Sequence, residues 1–258
     1  SRTYAHILTE IGFENLVMCR IDHKEKDIRA QKRELEFIWR PYYDQNNEKN
    51  LFTHITYGHY SFNWNLSIYF DSPSLLTTLS SELTKIIENY SQAYKTTNIM
   101  ILYGDDFKYG PESEMYFNMD GLIEFYKTTE YDVMYSTPRK YFEAIKKEFQ
   151  NWPILDNYDF FPYSDEAYNY WTGPFTNRPY LKGFIRDSRR YLDMFNLMYM
   201  NEIERKSEMI AEYAEKLLKL RMTLAMVQHH DGIAGTSNEN VSNDFIDKLN
   251  ISIKDLKE

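Results

Sequence analysis

Short apolar runs and longer segments with apolar residues at helical spacing alternate through the first part of the chain. The short runs are bounded by polar residues and predict buried strands. The predicted strands lie at residues 15–21, 51–56, 98–103 and 131–136. The predicted helices lie at residues 1–10, 23–43, 72–94, 115–128 and 138–149. This alternation predicts part of an α/β domain with a parallel sheet over residues 1–151.

The pattern changes after Asn151. Residues 152–179 are rich in proline, glycine, aspartate and aromatic residues, which is typical of a loop. Three segments with helical spacing follow, at residues 180–205, 206–227 and 238–257. The chain is therefore predicted to fold as α/β followed by α, with a second domain over residues 152–258 that contains a three-helix bundle.

Composition and charge exclude some classes of protein. Hydrophobic residues make up 43% of the chain and no apolar run is long enough for a membrane span, which predicts a soluble globular protein. The net charge is −9 and the basic residues are dispersed, so nucleic acid is not expected as a partner. The 23 tyrosines suit stacking on sugar rings, although ordinary cores are the commoner reason for such a content. No pattern indicates an oligomeric state.

Cysteine and asparagine positions bear on the compartment. The single cysteine, Cys19, excludes an intrachain disulfide. Asn-x-Ser sequons begin at Asn65, Asn89, Asn240 and Asn250. They allow passage through the secretory pathway, although motifs this short often arise by chance.

A polar break between two predicted helices lies at residues 228–237, with the sequence Gln-His-His-Asp-Gly-Ile-Ala-Gly-Thr-Ser. A histidine here could bind zinc, and Asp231 could orient an imidazole or contact a polar substrate. The glycines would end one helix, and Thr236 or Ser237 would cap the next. A lone His-His-Asp has no metal-ligand spacing, so the residues alone leave a site and a capped turn as equal alternatives.

Polar residues also follow the predicted strands, where open α/β sheets bind their ligands. Arg20 closes the first strand, and Tyr60 lies in the loop after the second. Asp105 and Asp106 follow the third strand. A carboxyl pair at a strand end can act as a general acid or hold a metal, but it more often caps a turn or a helix. Arg20 could instead form a salt bridge, and Tyr60, within the aromatic segment 57–64, could instead be packing.

The loop before the helices is unusually aromatic. Trp171 stands next to Thr172 and Gly173, and could form a flat wall against a sugar ring. The alternative is a hydrophobic plug that seals the two domains together.

Taken together, these segments resemble glycoside hydrolase family 38, the class II α-mannosidases, and most closely the lysosomal branch. The resemblance spans nearly the whole chain, and the His-His-Asp and Gly-Asp-Asp-Phe motifs occur in the right order. The matching stretches are residues 19–22, 31–36 with Trp39, 52–53, 104–107, 135–138, 159–163, 171–173 with 178–179, 229–237 and 243–244.

The resemblance implies a zinc-dependent retaining hydrolase that removes terminal α-D-mannosyl residues from the N-glycans of glycoproteins. It implies that Asp106 is the acid/base and His230 a zinc ligand. It implies substrate-binding roles for Arg20, Tyr60, Asp105, Trp171 and Asp231. It also implies a lysosomal location, or another compartment of the secretory pathway such as the vacuole or the extracellular space.

The sequence departs from the family in one respect. The first zinc motif of the family, a His-x-Asp, and its nucleophilic aspartate do not occur, so the 258 residues are expected to be a fragment that is inactive by itself. Zinc-dependent hydrolysis of an aryl α-mannoside by the purified chain would contradict that expectation. The alternatives are a non-catalytic mannoside-binding protein or degenerate pseudoenzyme, and, less well supported, another zinc hydrolase such as a carbohydrate deacetylase.

Overall fold

The computed structural model describes residues 1–42, 49–61, 73–111, 115–206 and 208–257. The chain forms two compact units, Ser1–Tyr170 and Trp171–Glu258. A few predicted features lie outside the described residues. They are residue 43 at the end of one predicted helix, residues 62–64 of the aromatic loop, the Asn65 sequon and Ser72 at the start of another helix.

A four-stranded sheet forms the centre of the first unit. Its strands are β1 (Asn15–Met18), β2 (Glu36–Arg40), β3 (Leu51–Ile55) and β4 (Ile154–Asp156), in the order β1-β3-β2-β4. The pairs β1–β3 and β2–β4 are parallel, whereas β2 and β3 are antiparallel. The short connection at residues 41–50 explains the antiparallel pair, because a parallel pair needs a crossover of a dozen or more residues. The α/β prediction is confirmed, but the sheet is mixed rather than wholly parallel.

Among the described residues, five α-helices belong to this unit. They are α1 (Arg2–Glu10), α2 (His23–Gln31), α3 (Pro73–Ser91), α4 (Met115–Tyr126) and α5 (Pro138–Glu148). The start of α5 shows how the sequence sets a boundary, since the Thr137 side chain accepts a hydrogen bond from the Lys140 N–H and Pro138 occupies the first turn.

Strand β4 lies in residues 152–170, a segment that the sequence assigns to the second domain. That segment also holds the hairpin of β5 (Ser164–Glu166) and β6 (Asn169–Tyr170).

The predicted helix at residues 23–43 is wrong beyond Gln31. Arg33 has a φ of +55°, which interrupts the helix, and strand β2 follows. Leu35, Phe37 and Trp39 are at most 1% exposed and alternate along the chain, which is the period of a strand. Trp39 therefore belongs to the sheet core and not to the inner face of a helix.

The predicted strands at residues 98–103 and 131–136 are also wrong. Neither segment forms strand structure, although both carry apolar side chains. Ile101 and Tyr103 of one segment, with Tyr131 and Val133 of the other, pack against the core between α3 and α4. Contact with these helices accounts for the apolar pattern without a ladder of backbone hydrogen bonds.

A buried polar network crosses the sheet between β2 and β3. His54 Nδ1 lies 2.9 Å from Glu36 Oε1, and the Tyr141 hydroxyl of α5 donates to the same oxygen at 2.7 Å. Glu36 and His54 are at most 1% exposed. The Tyr94 ring stacks on His54, with 5.0 Å between the ring centres. Buried polar groups of this kind are stable only when they are hydrogen-bonded, so the network ties α5 to the sheet.

The second unit contains three long helices, α6 (Pro179–Arg205), α7 (Ile210–Met226) and α8 (Glu239–Lys257), close to the predicted positions. Their apolar faces share one core. Its buried members include Leu181, Ile185, Leu192, Phe195, Leu217, Leu220, Leu224, Phe245, Leu249 and Ile253. Within the described ranges, no helix has the length and apolar character needed to cross a membrane.

Candidate functional site

Arg20 and Tyr60 lie side by side in the first unit. Strands β1 and β3 are parallel, so the segments that leave their carboxyl ends emerge at the same edge of the sheet. The Arg20 guanidinium carbon lies 5.7 Å from the centre of the Tyr60 ring and 6.0 Å from that of Tyr163. These distances allow cation–π attraction, which orients the arginine over two aromatic faces.

Asp106 joins this group. The Tyr60 hydroxyl donates a hydrogen bond to Asp106 Oδ2 at 3.1 Å, and the Asp106 N–H donates to Asp105 Oδ1 at 2.8 Å. Gly104, directly before the pair, has a φ of +152°, and a Cβ there would lie 2.6 Å from the Tyr109 ring. Only glycine fits that position, so the tight approach of Tyr109 helps to set the direction of the Asp105–Asp106 segment.

Buried groups hold the segment that carries Tyr60. The Tyr57 N–H donates to the Tyr94 hydroxyl at 2.7 Å. The Gly58 carbonyl accepts from Thr56 Oγ1 at 2.9 Å and from Lys26 Nζ at 3.2 Å. The backbone just before Tyr60 is therefore held at the Tyr57 N–H and at the Gly58 carbonyl.

The charges around this group affect His59 and Tyr60. Partial burial lowers the pKa of His59, and the positive charges of Arg20 and Lys26 lower it further, against the opposing effect of the two aspartates. The hydrogen bond to Asp106 raises the pKa of Tyr60. Tyr60 is therefore a neutral donor at neutral pH, and His59, whose ring lies 4.3 Å from that of Tyr60, is held toward its neutral form.

The turn between α7 and α8 collects the polar residues of the second unit. Donor atoms of His229, His230 and Asp231 lie within 4.8 Å of one another, the one group of three metal-ligand side chains among the described residues. The two imidazole rings are 4.1 Å apart, and His230 Nε2 lies 3.7 Å from Asp231 Oδ2. Imidazole nitrogens and a carboxylate are the donors that zinc prefers, so these side chains fit part of a zinc coordination sphere.

Hydrogen bonds within the turn orient Asp231. Thr236 Oγ1 donates to Asp231 Oδ1 at 2.6 Å, and the N–H groups of Thr236 and Ser237 both donate to the Asp231 carbonyl at 3.1 Å. The predicted caps are wrong, because α8 begins at Glu239 and the Asn238 side chain accepts from the Val241 N–H at 3.3 Å. These residues form a hydrogen-bonded turn, and their role as a site stays a prediction.

An open cavity of about 820 Å³ adjoins this turn. His229, Asp231 and Thr236 form its polar side, and Met226 and Val241 are among its apolar residues.

Trp171, the first residue of the second unit, is 42% exposed and precedes a one-turn 3₁₀ helix at Gly173–Phe175. Its side chain is accessible, and its sugar-stacking role stays a prediction.

Several contacts were not expected from the sequence. Tyr163 under Arg20 and Tyr94 behind the Tyr60 segment come from distant parts of the chain. Asn177 and Lys182 bind the turn that contains Asp231. No local signal marks Lys182, because the Ala234 carbonyl that it binds lies 52 residues later.

Comparison with known proteins gives two family matches. Residues 1–166 match the N-terminal domain of glycosyl hydrolases family 38, and residues 169–258 match the alpha mannosidase middle domain. A lysosomal alpha-mannosidase of Dictyostelium discoideum is 27% identical over 97% of this chain and 26% of its own length. A probable alpha-mannosidase of Arabidopsis thaliana is 31% identical over 96% of this chain and 24% of its own length. The human lysosomal alpha-mannosidase is 30% identical, with corresponding shares of 96% and 26%. The chain thus spans about a quarter of the length of these curated relatives.

Proposed function

Since this chain belongs to the glycosyl hydrolases of family 38, we propose that it acts in the hydrolysis of terminal α-D-mannosyl residues of glycoprotein N-glycans, with zinc and with retention of configuration. The observation that carries the proposal is the contact of Tyr60 with Asp106 beside Arg20. These three residues are far apart in sequence, and they meet where the strands of the sheet end. The names of the relatives support the mannoside substrate and a lysosomal or other secretory-pathway location, such as the vacuole or the extracellular space.

Asp106 is the proposed acid/base. A retaining glycosidase first needs a protonated carboxyl group near the leaving oxygen and then needs the same group as a base toward water. Tyr60 donates to Oδ2, so the proton that Asp106 transfers belongs on Oδ1. Arg20, Tyr60 and Asp105 are the proposed contacts to the substrate in this unit.

The turn of the second unit is the proposed metal-binding element. His230 is the proposed zinc ligand, and Asp231 is proposed to contact hydroxyl groups of the sugar. A bound zinc ion supplies Lewis acidity that stabilises negative charge on a sugar oxygen. Thr236 holds the Asp231 carboxylate in one orientation, and Trp171 is proposed to stack on the apolar face of a sugar ring. We also infer that this unit is a three-helix bundle, because its three helices share one core.

The test compares Asp106→Asn with Asp132→Asn in the complete gene product that contains these residues. Asp132 is exposed and serves as a matched control in the same unit. Loss of a general acid lowers the rate of hydrolysis of a 4-nitrophenyl α-mannoside by about 10²–10⁴-fold. The loss should be smaller for a 2,4-dinitrophenyl α-mannoside, whose leaving group needs little protonation.

Equal losses of kcat/KM on both substrates would contradict the role of Asp106 as an acid, because kcat/KM reports the step in which the aryl group leaves. A folded wild-type protein that binds mannosides without hydrolysing them would contradict the enzymatic proposal and support a mannoside-binding protein. The 258 residues alone, assayed in parallel, are expected to be inactive.

A further inference from the structure

Three side chains hold the carbonyl groups of the turn that follows Asp231. Asn177 Nδ2 donates to the Gly235 carbonyl at 2.9 Å, and Arg178 Nε donates to the same oxygen at 3.1 Å. Arg178 Nη2 donates to the Ser237 carbonyl at 3.0 Å, and Lys182 Nζ donates to the Ala234 carbonyl at 3.0 Å. We name Asn177, Arg178 and Lys182 the carbonyl clamp.

The clamp is closely fitted to the turn. Lys182 Nζ also donates to the backbone carbonyl of Asn177 at 2.7 Å and to its side-chain oxygen at 2.5 Å, so all three of its protons have acceptors. Gly235 has a φ of +72°, and a Cβ there would lie 2.9 Å from Asn177 Oδ1 and 3.1 Å from Lys182 Nζ. The turn and the clamp therefore approach as closely as a glycine allows.

The clamp brings two positive charges together. Partial burial lowers the pKa of Lys182, and the charges of Arg178 and Arg186 lower it further. Partial burial of the charged Lys182 ammonium near two arginines costs free energy, and its three hydrogen bonds offset that cost.

The clamped carbonyls adjoin the groups that hold Asp231, because the Gly235 carbonyl and the Thr236 N–H belong to one peptide unit and Ser237 belongs to both sets. The N–H groups of Thr236 and Ser237 donate to the Asp231 carbonyl, and the Thr236 hydroxyl donates to its carboxylate. We propose that the carbonyl clamp positions Asp231 for the substrate and, through the backbone, the adjacent His230 for zinc, an inference that rests on the proposed function of this turn. The three clamp residues are positioning residues, since they act through the turn and not through the metal.

The experiment uses Lys182→Met in the complete gene product that contains these residues, with Lys248→Met as the matched control. Lys248 belongs to the same unit and pairs with Asp244 along α8, away from the turn. Hydrogen exchange of the Thr236 and Ser237 amides is measured without metal, and Zn²⁺ affinity is measured by competition with a chromophoric chelator. Arg178→Lys is a milder second variant, because an ammonium cannot match the fork of a guanidinium that reaches two carbonyl groups.

In Lys182→Met we expect faster amide exchange at Thr236 and Ser237 and unchanged exchange at Leu220 in the core. We also expect the Zn²⁺ affinity to fall by about 10-fold or more, which is the typical effect of losing a partner that orients metal ligands. Unchanged amide exchange would overturn the proposal that the clamp positions the turn. Lower stability with unchanged Zn²⁺ affinity of the folded protein would also overturn it, because the role would then be structural. If the complete wild-type gene product binds no Zn²⁺, the metal part of the proposed function fails, and the exchange data alone decide whether the clamp positions Asp231.

Discussion

Replacing Gly235 with alanine will destabilise the second unit. Gly235 has a φ of +72°, a conformation that costs an L-residue with a Cβ about 1–2 kcal/mol. The new Cβ would lie 2.9 Å from Asn177 Oδ1, so the Asn177 side chain must move and give up its bond to the Gly235 carbonyl. A lost hydrogen bond adds about 0.5–1.5 kcal/mol. The sum is a decrease of about 1.5–3.5 kcal/mol in the free energy of unfolding.

Gly183→Ala is a control with the opposite sign. Gly183 lies inside α6, and a Cβ there would have no heavy atom within 4 Å. Alanine is favoured over glycine in a helix interior, so this change should raise the free energy of unfolding by about 0.5–1 kcal/mol. The two substitutions add the same methyl group to the same unit, and only the backbone conformation and the neighbours differ.

The assay is urea unfolding of the 258-residue chain, followed by amide hydrogen exchange at buried positions of the second unit. Leu220 and Leu249 are fully buried and report on that unit separately from the first. Equal m-values would show that each variant changes stability and not the extent of unfolding. A neutral or stabilising Gly235→Ala, or a Gly183→Ala that is the more destabilising of the two, would contradict the assigned role of the Gly235 conformation.

Three further predictions concern the first unit. Tyr141→Phe removes a buried hydrogen bond to Glu36, so it should lower the free energy of unfolding of this unit by about 1.5–3 kcal/mol in chemical denaturation. As a control, Tyr4→Phe changes an exposed ring and should alter that free energy by less than about 0.5 kcal/mol. Burial raises the pKa of Tyr103 to about 12. The unfolded chain releases this proton near pH 10, so stability falls between pH 10 and 12, and Tyr103→Phe should make that fall shallower in a pH series of unfolding curves. Tyr60→Phe should lower kcat toward 4-nitrophenyl α-mannoside about 2- to 10-fold in the complete gene product, and an unchanged kcat would remove Tyr60 from the orientation of Asp106.

The helices were predictable where apolar spacing and local caps agree. The apolar faces of α6, α7 and α8 repeat at helical spacing, and Thr137 with Pro138 marks the start of α5 in the sequence itself. The prediction for residues 32–42 is wrong because Leu35, Ile38 and Trp39 also fit a helical face. The contacts of β2 with β3 and β4 decide in favour of a strand, and those contacts are not local.

The residue types of the site were predictable, but their arrangement only in part. The strand ends indicated that Arg20 and Tyr60 would approach each other, because parallel strands bring their following loops to one edge. The predicted strand before Asp105 does not form, yet Asp106 still meets Tyr60. The contribution of Lys182 depends on a turn more than fifty residues later, a distance that no local pattern encodes.

The measurement closest to the central claim is proton NMR of the first sugar that the complete gene product releases from an aryl α-mannoside. We expect α-mannose to appear first, before mutarotation. We also expect the reaction to stop when a chelator removes zinc and to resume when zinc is restored. Release of β-mannose would contradict retention. Turnover that persists in the metal-free protein would contradict the role of zinc.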